Sequence, residues 1–311
     1  MDYSAVGAIS TRIRVTDYVS VTQIYLRNNF TLSRPLEPSD IKPRLLGHWG
    51  TCHGINVFYT NIKTWNPEAH CMIGPGHGFP ALQAQLWLDG KLEQYYPEAT
   101  ITESGLAYIS KQFSWPYGFP SHSSPETPEV ILEGGELGYC VGVAYGAALN
   151  RPGSTIAVLI GDGEMETASL LASLNLNKFI VNGRGNGRVL PVLHLNDYKI
   201  SAPTIYGRIS EHELHSLIRG FGYTPIDIDG DDAEAFQMAL RASERYNYPF
   251  IIMRTPKGET GPAYVDGKKI AGNYLSHQVP LGHAATDENE LRQLETWLRS
   301  YNINWQEVFH A

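Results

Sequence analysis

The strongest constraint on the architecture is a rhythm that begins at Thr155. Apolar runs at Thr155–Ile160, Val189–Leu195, Thr224–Ile228 and Pro249–Met253 alternate with stretches of helical spacing at Glu164–Phe179, Ser210–Arg219 and Asp232–Tyr246. Short apolar runs bounded by turn residues read as strands buried on both faces, and helices between such strands impose parallel crossovers. The expected fold is therefore α/β, a doubly wound, mainly parallel sheet flanked by helices. Ligands of such sheets sit at the C-terminal ends of the strands. Asp162, Asn196 and Lys257 fall there.

Upstream, Ile55, Val57, Phe58, Ile62 and Trp65 recur at helical spacing from Gly54 to Trp65, and Pro80–Leu88 reads as a helix with proline in its first turn. Leu137–Leu149 is dense in glycine and alanine, which suits a helix pressed against a neighbouring backbone. Asp287–Tyr301 reads as a polar amphipathic helix, and Asn182–Arg188 as a glycine-rich loop. Residues 1–40 are polar, contain the turn Arg34-Pro35-Leu36-Glu37-Pro38 and read as an N-terminal arm, which leaves 41–311 as one domain.

Several function classes are disfavoured by composition. A net charge of −8 gives no basic surface for nucleic acid. Cys52, Cys71 and Cys140 are scattered and odd in number, so neither a disulfide framework nor a zinc site is expected, and a reducing cytoplasm fits. No basic start followed by an apolar stretch, and no run long enough to span a bilayer, points to a membrane.

Gly161-Asp162-Gly163-Glu164 follows the first apolar run, and Leu193-His194-Leu195-Asn196 ends the second. A carboxylate at one strand tip and an amide oxygen at the next are hard ligands for Mg²⁺ or Ca²⁺, and glycines beside them open backbone N–H groups to a diphosphate. Gly-Asp-Gly by itself is ordinary turn chemistry. Four histidines also sit in glycine- or proline-rich loops or beside turns: His48 in Gly47-His48-Trp49-Gly50-Thr51, His77 in Gly74-Pro75-Gly76-His77-Gly78, His122 after Phe119-Pro120-Ser121, and His277 in Tyr274-Leu275-Ser276-His277-Gln278. One loop histidine is commonly just solvated or structural; four in such settings suit proton handling on a polyhydroxylated substrate.

Together these stretches resemble the N-terminal, diphosphate-binding domain of phosphoketolases, thiamine-diphosphate (ThDP) enzymes of the transketolase-like group. The likeness runs from Tyr25-Leu26 to the helix around Trp297, through Pro43-Arg44-Leu45-Leu46-Gly47-His48-Trp49-Gly50-Thr51, Glu133-Gly134-Gly135-Glu136-Leu137-Gly138-Tyr139, Asn177-Lys178-Phe179, Arg254-Thr255-Pro256-Lys257-Gly258 and Ser276-His277-Gln278-Val279-Pro280-Leu281. The resemblance implies that Asp162, Asn196 and the Tyr198 carbonyl hold Mg²⁺ or Ca²⁺. It implies that His77, Gly135, Glu136, Gly161, Gly163, Glu164 and Lys257 meet the cofactor. His48, His122 and His277, with Thr51, would surround the reacting carbon of a ketose phosphate.

Two departures stand out. Leu174-Asn175-Leu176 replaces the Trp-His-Ser of the family, and Asp197 stands where glycine is usual. Both are expected to lie near the cofactor strand ends and so to bear on the substrate. A domain for the aminopyrimidine of ThDP is not recognisable in the sequence. The implied arrangement is the diphosphate-binding subunit of a split lyase or transferase, completed by a second subunit in a heterotetramer. A strand-end face with Trp49 and Tyr139 would receive that partner. A two-carbon ketol transferase subunit and a non-catalytic regulatory paralogue stay open as alternatives.

Overall fold

The computed structural model describes residues 3–310, with side chains from Val6 onward. In chain order its elements are α1 (Tyr3–Tyr25), α2 (Cys52–Trp65), β1 (His70–Ile73), α3 (Phe79–Leu88), α4 (Glu103–Gln112), α5 (Cys140–Ala148), β2 (Thr155–Gly161), α6 (Asp162–Met165), α7 (Ala168–Ser173), β3 (Arg188–Leu195), α8 (Glu211–Gly220), β4 (Thr224–Asp229), α9 (Ala233–Ser243), β5 (Pro249–Arg254), the small hairpin β6 (Tyr264–Val265) and β7 (Lys268–Lys269), α10 (Glu288–Ser300) and α11 (Trp305–Phe309).

Five strands form one parallel sheet in the order β1-β2-β3-β5-β4. Successive strand residues point to opposite faces, so β2 feeds two cores. Ile156, Val158 and Ile160 pack with Cys140, Val141 and Ala144 of α5 and with Leu170 of α7, while Ala157 and Leu159 join the core built from α1, α2 and α3. Helices thus cover both faces, as the alternation requires. Among the described residues no helix is long and apolar enough to cross a membrane.

Three sequence expectations need correction. The first forty residues are not an arm: every residue from Val15 to Leu26 is buried, and α1 lies in the core against α2, α3 and α4. Its polar side chains disguised it. Ser20 donates to the Thr16 carbonyl, Thr22 shares a hydrogen bond with Ser110, and Gln23 Nε2 donates to the Pro80 carbonyl at 2.8 Å, so these buried polar groups find partners within the helix and on α3 and α4. Glu164–Phe179 is likewise not one helix. Thr167 caps a new start by accepting from Leu170 N, and Leu174–Lys178 tightens into a 3₁₀ turn. Leu174-Asn175-Leu176 consequently packs away from the strand ends, where the Leu174 carbonyl accepts from the Tyr223 hydroxyl at 3.1 Å.

Candidate active site

The sheet register places Gly161 opposite His194, so the residues following β2 and β3 emerge side by side. Asp162, 3% exposed, is the hub. Its Oδ2 accepts from Asn196 N at 3.1 Å, Asp197 N at 2.7 Å and Thr204 Oγ1 at 3.2 Å, and its Oδ1 accepts from Gly163 N at 2.8 Å. Burial nevertheless pushes the carboxyl up to about 6, against the opposing pull of Lys257 and these donors. Asn196 Oδ1 accepts from Tyr198 N, and the Tyr198 carbonyl accepts from Lys257 Nζ at 2.9 Å. Lys257 is itself buried, and burial lowers its ammonium to about 8 while Asp162 resists.

Glu164 lies at the same strand end, with its carboxylate bound to backbone. Oε1 accepts from Gly138 N at 3.0 Å and Oε2 from Gly161 N at 3.3 Å. It thereby ties the 133–139 loop, which carries Gly135, to the end of β2. Burial raises its carboxyl, with Gly138 N and the Cys140 thiol drawing it back.

Two glycines let the histidine loops meet. At Gly50 a Cβ would stand 2.8 Å from the Ser276 carbonyl oxygen and 2.9 Å from His277 Cα, so only hydrogen there lets the His48 and His277 segments touch. Trp49 N donates to the Gln278 carbonyl across that contact at 3.0 Å. At Gly76 a Cβ would stand 2.3 Å from Gly134 Cα. Ser123 N donates to the Gly76 carbonyl and Gly134 N to the Ser123 carbonyl, which draws His77, His122 and Gly135 to one place.

The result is a histidine cluster centred on His48. Its ring lies 5.2 Å from His77, 5.3 Å from His122 and 5.4 Å from His277, centroid to centroid, and His77 lies 5.1 Å from His277. Burial first, then repulsion from His122 and Lys257, lowers His48 to about 4; burial, Lys257 and His48 lower His277 to about 3. Burial also lowers His77, reinforced by His277 and His48, and lowers His122 against the pull of Glu133. At neutral pH the cluster consists of uncharged imidazoles.

All these groups face one cavity of about 370 Å³. Its walls include His48, Thr51, His77, His122, Gly135, Gly161, Asp162, Gly163, Glu164, Asn196, Tyr198, Lys257 and His277. Glu136 stands outside it, exposed. Sequence reasoning missed Pro75, Gly134, Leu137, Lys199 and Ile200 on the same walls. Pro75, Gly134 and Leu137 lie within the quoted motifs without having been assigned a role, and Lys199 and Ile200 directly follow Tyr198. Trp49, expected on the open face, is instead fully buried with its ring 4.8 Å from Trp297; Tyr139 is half exposed.

The donor set fits a dication beside a diphosphate. A desolvated carboxylate, an amide oxygen and a backbone carbonyl converge with one ammonium, and all are hard or anion-complementary groups. His48 Nδ1 and His277 Nδ1 are buried without a partner among protein atoms, so the cavity retains polar capacity for a ligand.

Comparison with known proteins agrees with this geometry. The profile of the XFP N-terminal domain matches residues 1–243 and 237–311. The chain is 47% identical to a probable phosphoketolase of Streptomyces avermitilis over 96% of its own length and 40% of that protein's. It is 46% identical to one from Streptomyces coelicolor over 93% of this chain and 39% of that protein. The chain therefore spans about 40% of the length of these curated relatives. Among solved structures, transketolase from Campylobacter jejuni superposes with a TM-score of 0.69 at 17% identity, covering 100% of this chain and 46% of that one. Transketolase from Leishmania mexicana gives 0.63 at 18%, covering 97% and 46%. These two establish a shared fold. From the match along its whole length, the chain belongs to the XFP N-terminal domain family.

Proposed function

We propose that this chain is the diphosphate-binding half of a ThDP-dependent enzyme that cleaves a ketose phosphate and transfers a two-carbon unit. One observation carries the reading: four uncharged histidines, Lys257 and the Asp162–Asn196–Tyr198 set open into a single cavity at the strand ends. ThDP would supply the nucleophilic carbon.

The chain's own residues then divide the work. Asp162, Asn196 and the Tyr198 carbonyl would hold Mg²⁺ or Ca²⁺, and Lys257, freed from that carbonyl, would neutralise diphosphate charge together with Gly163 N–H. Glu164 keeps Gly135 in place. Neutral His48, His122 and His277, with Thr51, can donate to or accept from substrate hydroxyl and carbonyl oxygens, moving protons without placing extra cations beside Lys257. Leu137 and Ile200 on the walls are 41% and 57% exposed, and Tyr139 beside Gly138 is 50% exposed. An apolar margin of this kind supports a second protein surface closing the cavity. We assign that surface to a partner subunit that binds the aminopyrimidine, in a heterotetramer of two copies of each chain. The three free thiols fit a reducing cytoplasm.

The test is reconstitution with a transketolase-type pyrimidine-binding chain, ThDP and Mg²⁺. Xylulose 5-phosphate or fructose 6-phosphate should be cleaved by the mixture, with negligible turnover by this chain alone. An acetyl product identifies phosphoketolase chemistry, and an intact ketol passed to an aldehyde identifies transketolase chemistry. Full activity of the isolated polypeptide would overturn the division into subunits. Silence across ketoses and α-keto acids would overturn the lyase reading.

A further inference from the structure

Away from the cavity, Glu211, His215 and Asp227 bring one ligand atom each to within 4.8 Å of one another. We propose that this triad is a second metal site, selective for a transition-metal dication such as Zn²⁺.

The fold makes the arrangement stiff. Glu211 opens α8 and His215 follows one turn later, so both project from the same face of a helix. Asp227 comes from β4, which packs directly against that helix. His215 Nε2 already meets Asp227 Oδ2 at 2.5 Å. The nearest competing cation is Arg254, whose Nη2 is 3.7 Å from Asp227 Oδ1, too far for a strong hydrogen bond. Glu211 makes no side-chain hydrogen bond or ion pair among the described residues.

Chemistry then selects the ion. One imidazole nitrogen with two carboxylate oxygens, completed by water, is a set that zinc and its neighbours accept, whereas Mg²⁺ and Ca²⁺ prefer oxygen alone. At metal–ligand distances of about 2.0–2.2 Å, tetrahedral ligand atoms lie roughly 3.3 Å apart, so small side-chain rotations close the site. The ion takes the place of the proton shared between His215 Nε2 and Asp227, and that proton passes to Nδ1 or to solvent. Bound metal would pin the first turn of α8 to β4. Asp227 also lines a crevice bounded by Asn196, Tyr198 and Lys257, so the pin would stiffen ground next to the main cavity.

The experiment is calorimetric titration of the tag-free chain with ZnCl₂ under excess Mg²⁺, comparing wild type with His215→Ala, Asp227→Asn and the neighbouring surface variant His212→Ala. Wild type and His212→Ala should bind the same number of zinc equivalents, and the other two should bind one fewer. Any zinc held by the four-histidine cavity is common to all four proteins. Melting curves without metal establish that each variant is folded, and zinc should raise the melting point of wild type more than that of His215→Ala. No zinc bound by wild type, or equal zinc bound by wild type, His215→Ala and Asp227→Asn, overturns the site.

Discussion

Asp197 donates its backbone N–H to the Asp162 carboxylate at 2.7 Å while holding a φ of +73°. The positive φ turns the chain immediately after that N–H, and left-handed backbone favours glycine, with Asp and Asn the least strained alternatives. The same residue differs from the glycine the phosphoketolase resemblance implies. Its side chain is not on the cavity wall; its backbone is what serves the site.

Asp197→Gly should therefore fold with stability within about 1 kcal/mol of wild type, because relief at φ offsets the added freedom of the unfolded chain. Asp197→Val should lose about 2 kcal/mol, a β-branched residue being poorly tolerated there. Denaturant midpoints decide it. Equal midpoints for the glycine and valine variants would show that the turn carries no strain.

A second prediction concerns His53, which sequence reasoning did not single out. Its Nδ1 meets Asp17 Oδ2 at 2.7 Å and its Nε2 meets Asp231 Oδ1 at 2.8 Å. Burial pushes the imidazolium down, but the two carboxylates more than reverse this and hold it at about 10. The folded state then binds a proton that the unfolded state releases above its ordinary 6.5. The stabilisation is fully present below that ordinary value and is lost as pH rises through the folded one. The stability difference between wild type and His53→Gln should shrink on going from pH 7 to pH 10, by roughly 2 kcal/mol once the partly exposed Asp231 is discounted for screening. A difference independent of pH would mean that His53 is neutral in the fold.

What the sequence revealed and what it hid have physical causes. The central strands were legible because both faces of the sheet are covered, which leaves nearly continuous apolar runs such as Ile156–Ile160. Strand β1 was missed: His70-Cys71-Met72-Ile73 is short, lies at the sheet edge and begins with partly exposed residues. Helix α1 was misread because Thr16, Asp17, Ser20, Thr22 and Gln23 are buried and find partners in helix backbone and in distant side chains such as His53, Asn56 and Ser110, which no periodicity of apolar residues signals. The cavity was legible through its glycines and histidines. Lys199 and Ile200 escaped because only the bridge between Tyr198 and Pro203 folds their loop back over Gly163.

The two kinds of site residue should separate experimentally. In the assembled enzyme Asp162→Asn should abolish Mg²⁺-dependent ThDP binding, since it removes the only side-chain carboxylate among the proposed metal ligands. It should also cost about 1–3 kcal/mol, because an amide that turns its oxygen to Asn196 N, Asp197 N and Thr204 Oγ1 sets its NH2 against Gly163 N–H, which loses its acceptor. His277→Ala should leave ThDP affinity nearly unchanged and lower turnover by roughly 100-fold, as expected for a lost proton-transfer group. Parallel loss of ThDP affinity in His277→Ala would move that residue to the cofactor set.

The last prediction tests the close approach of Gly76 and Gly134. A methyl group at Gly76 would lie 2.3 Å from Gly134 Cα, 2.6 Å from the Gly134 carbonyl oxygen and 2.6 Å from Ser123 Oγ. Two of these three atoms belong to backbone and cannot rotate away. Relief must come from parting the loops, which strains the hydrogen bonds from Ser123 N to the Gly76 carbonyl at 2.9 Å and from Gly134 N to the Ser123 carbonyl at 2.8 Å. Gly76→Ala should thus cost about 1–3 kcal/mol. It should also shift His77 and Gly135 together, and weaken ThDP binding in the assembled enzyme beyond what instability explains. Gly146→Ala is the matched control: that glycine sits in α5 with nothing within 4 Å of its would-be Cβ, so alanine should stabilise by about 0.5–1 kcal/mol and leave binding intact. Melting curves with and without ThDP and Mg²⁺ read both effects at once. If Gly76→Ala keeps the full ligand-induced rise in melting temperature, the two loops do not need that contact to shape the cavity.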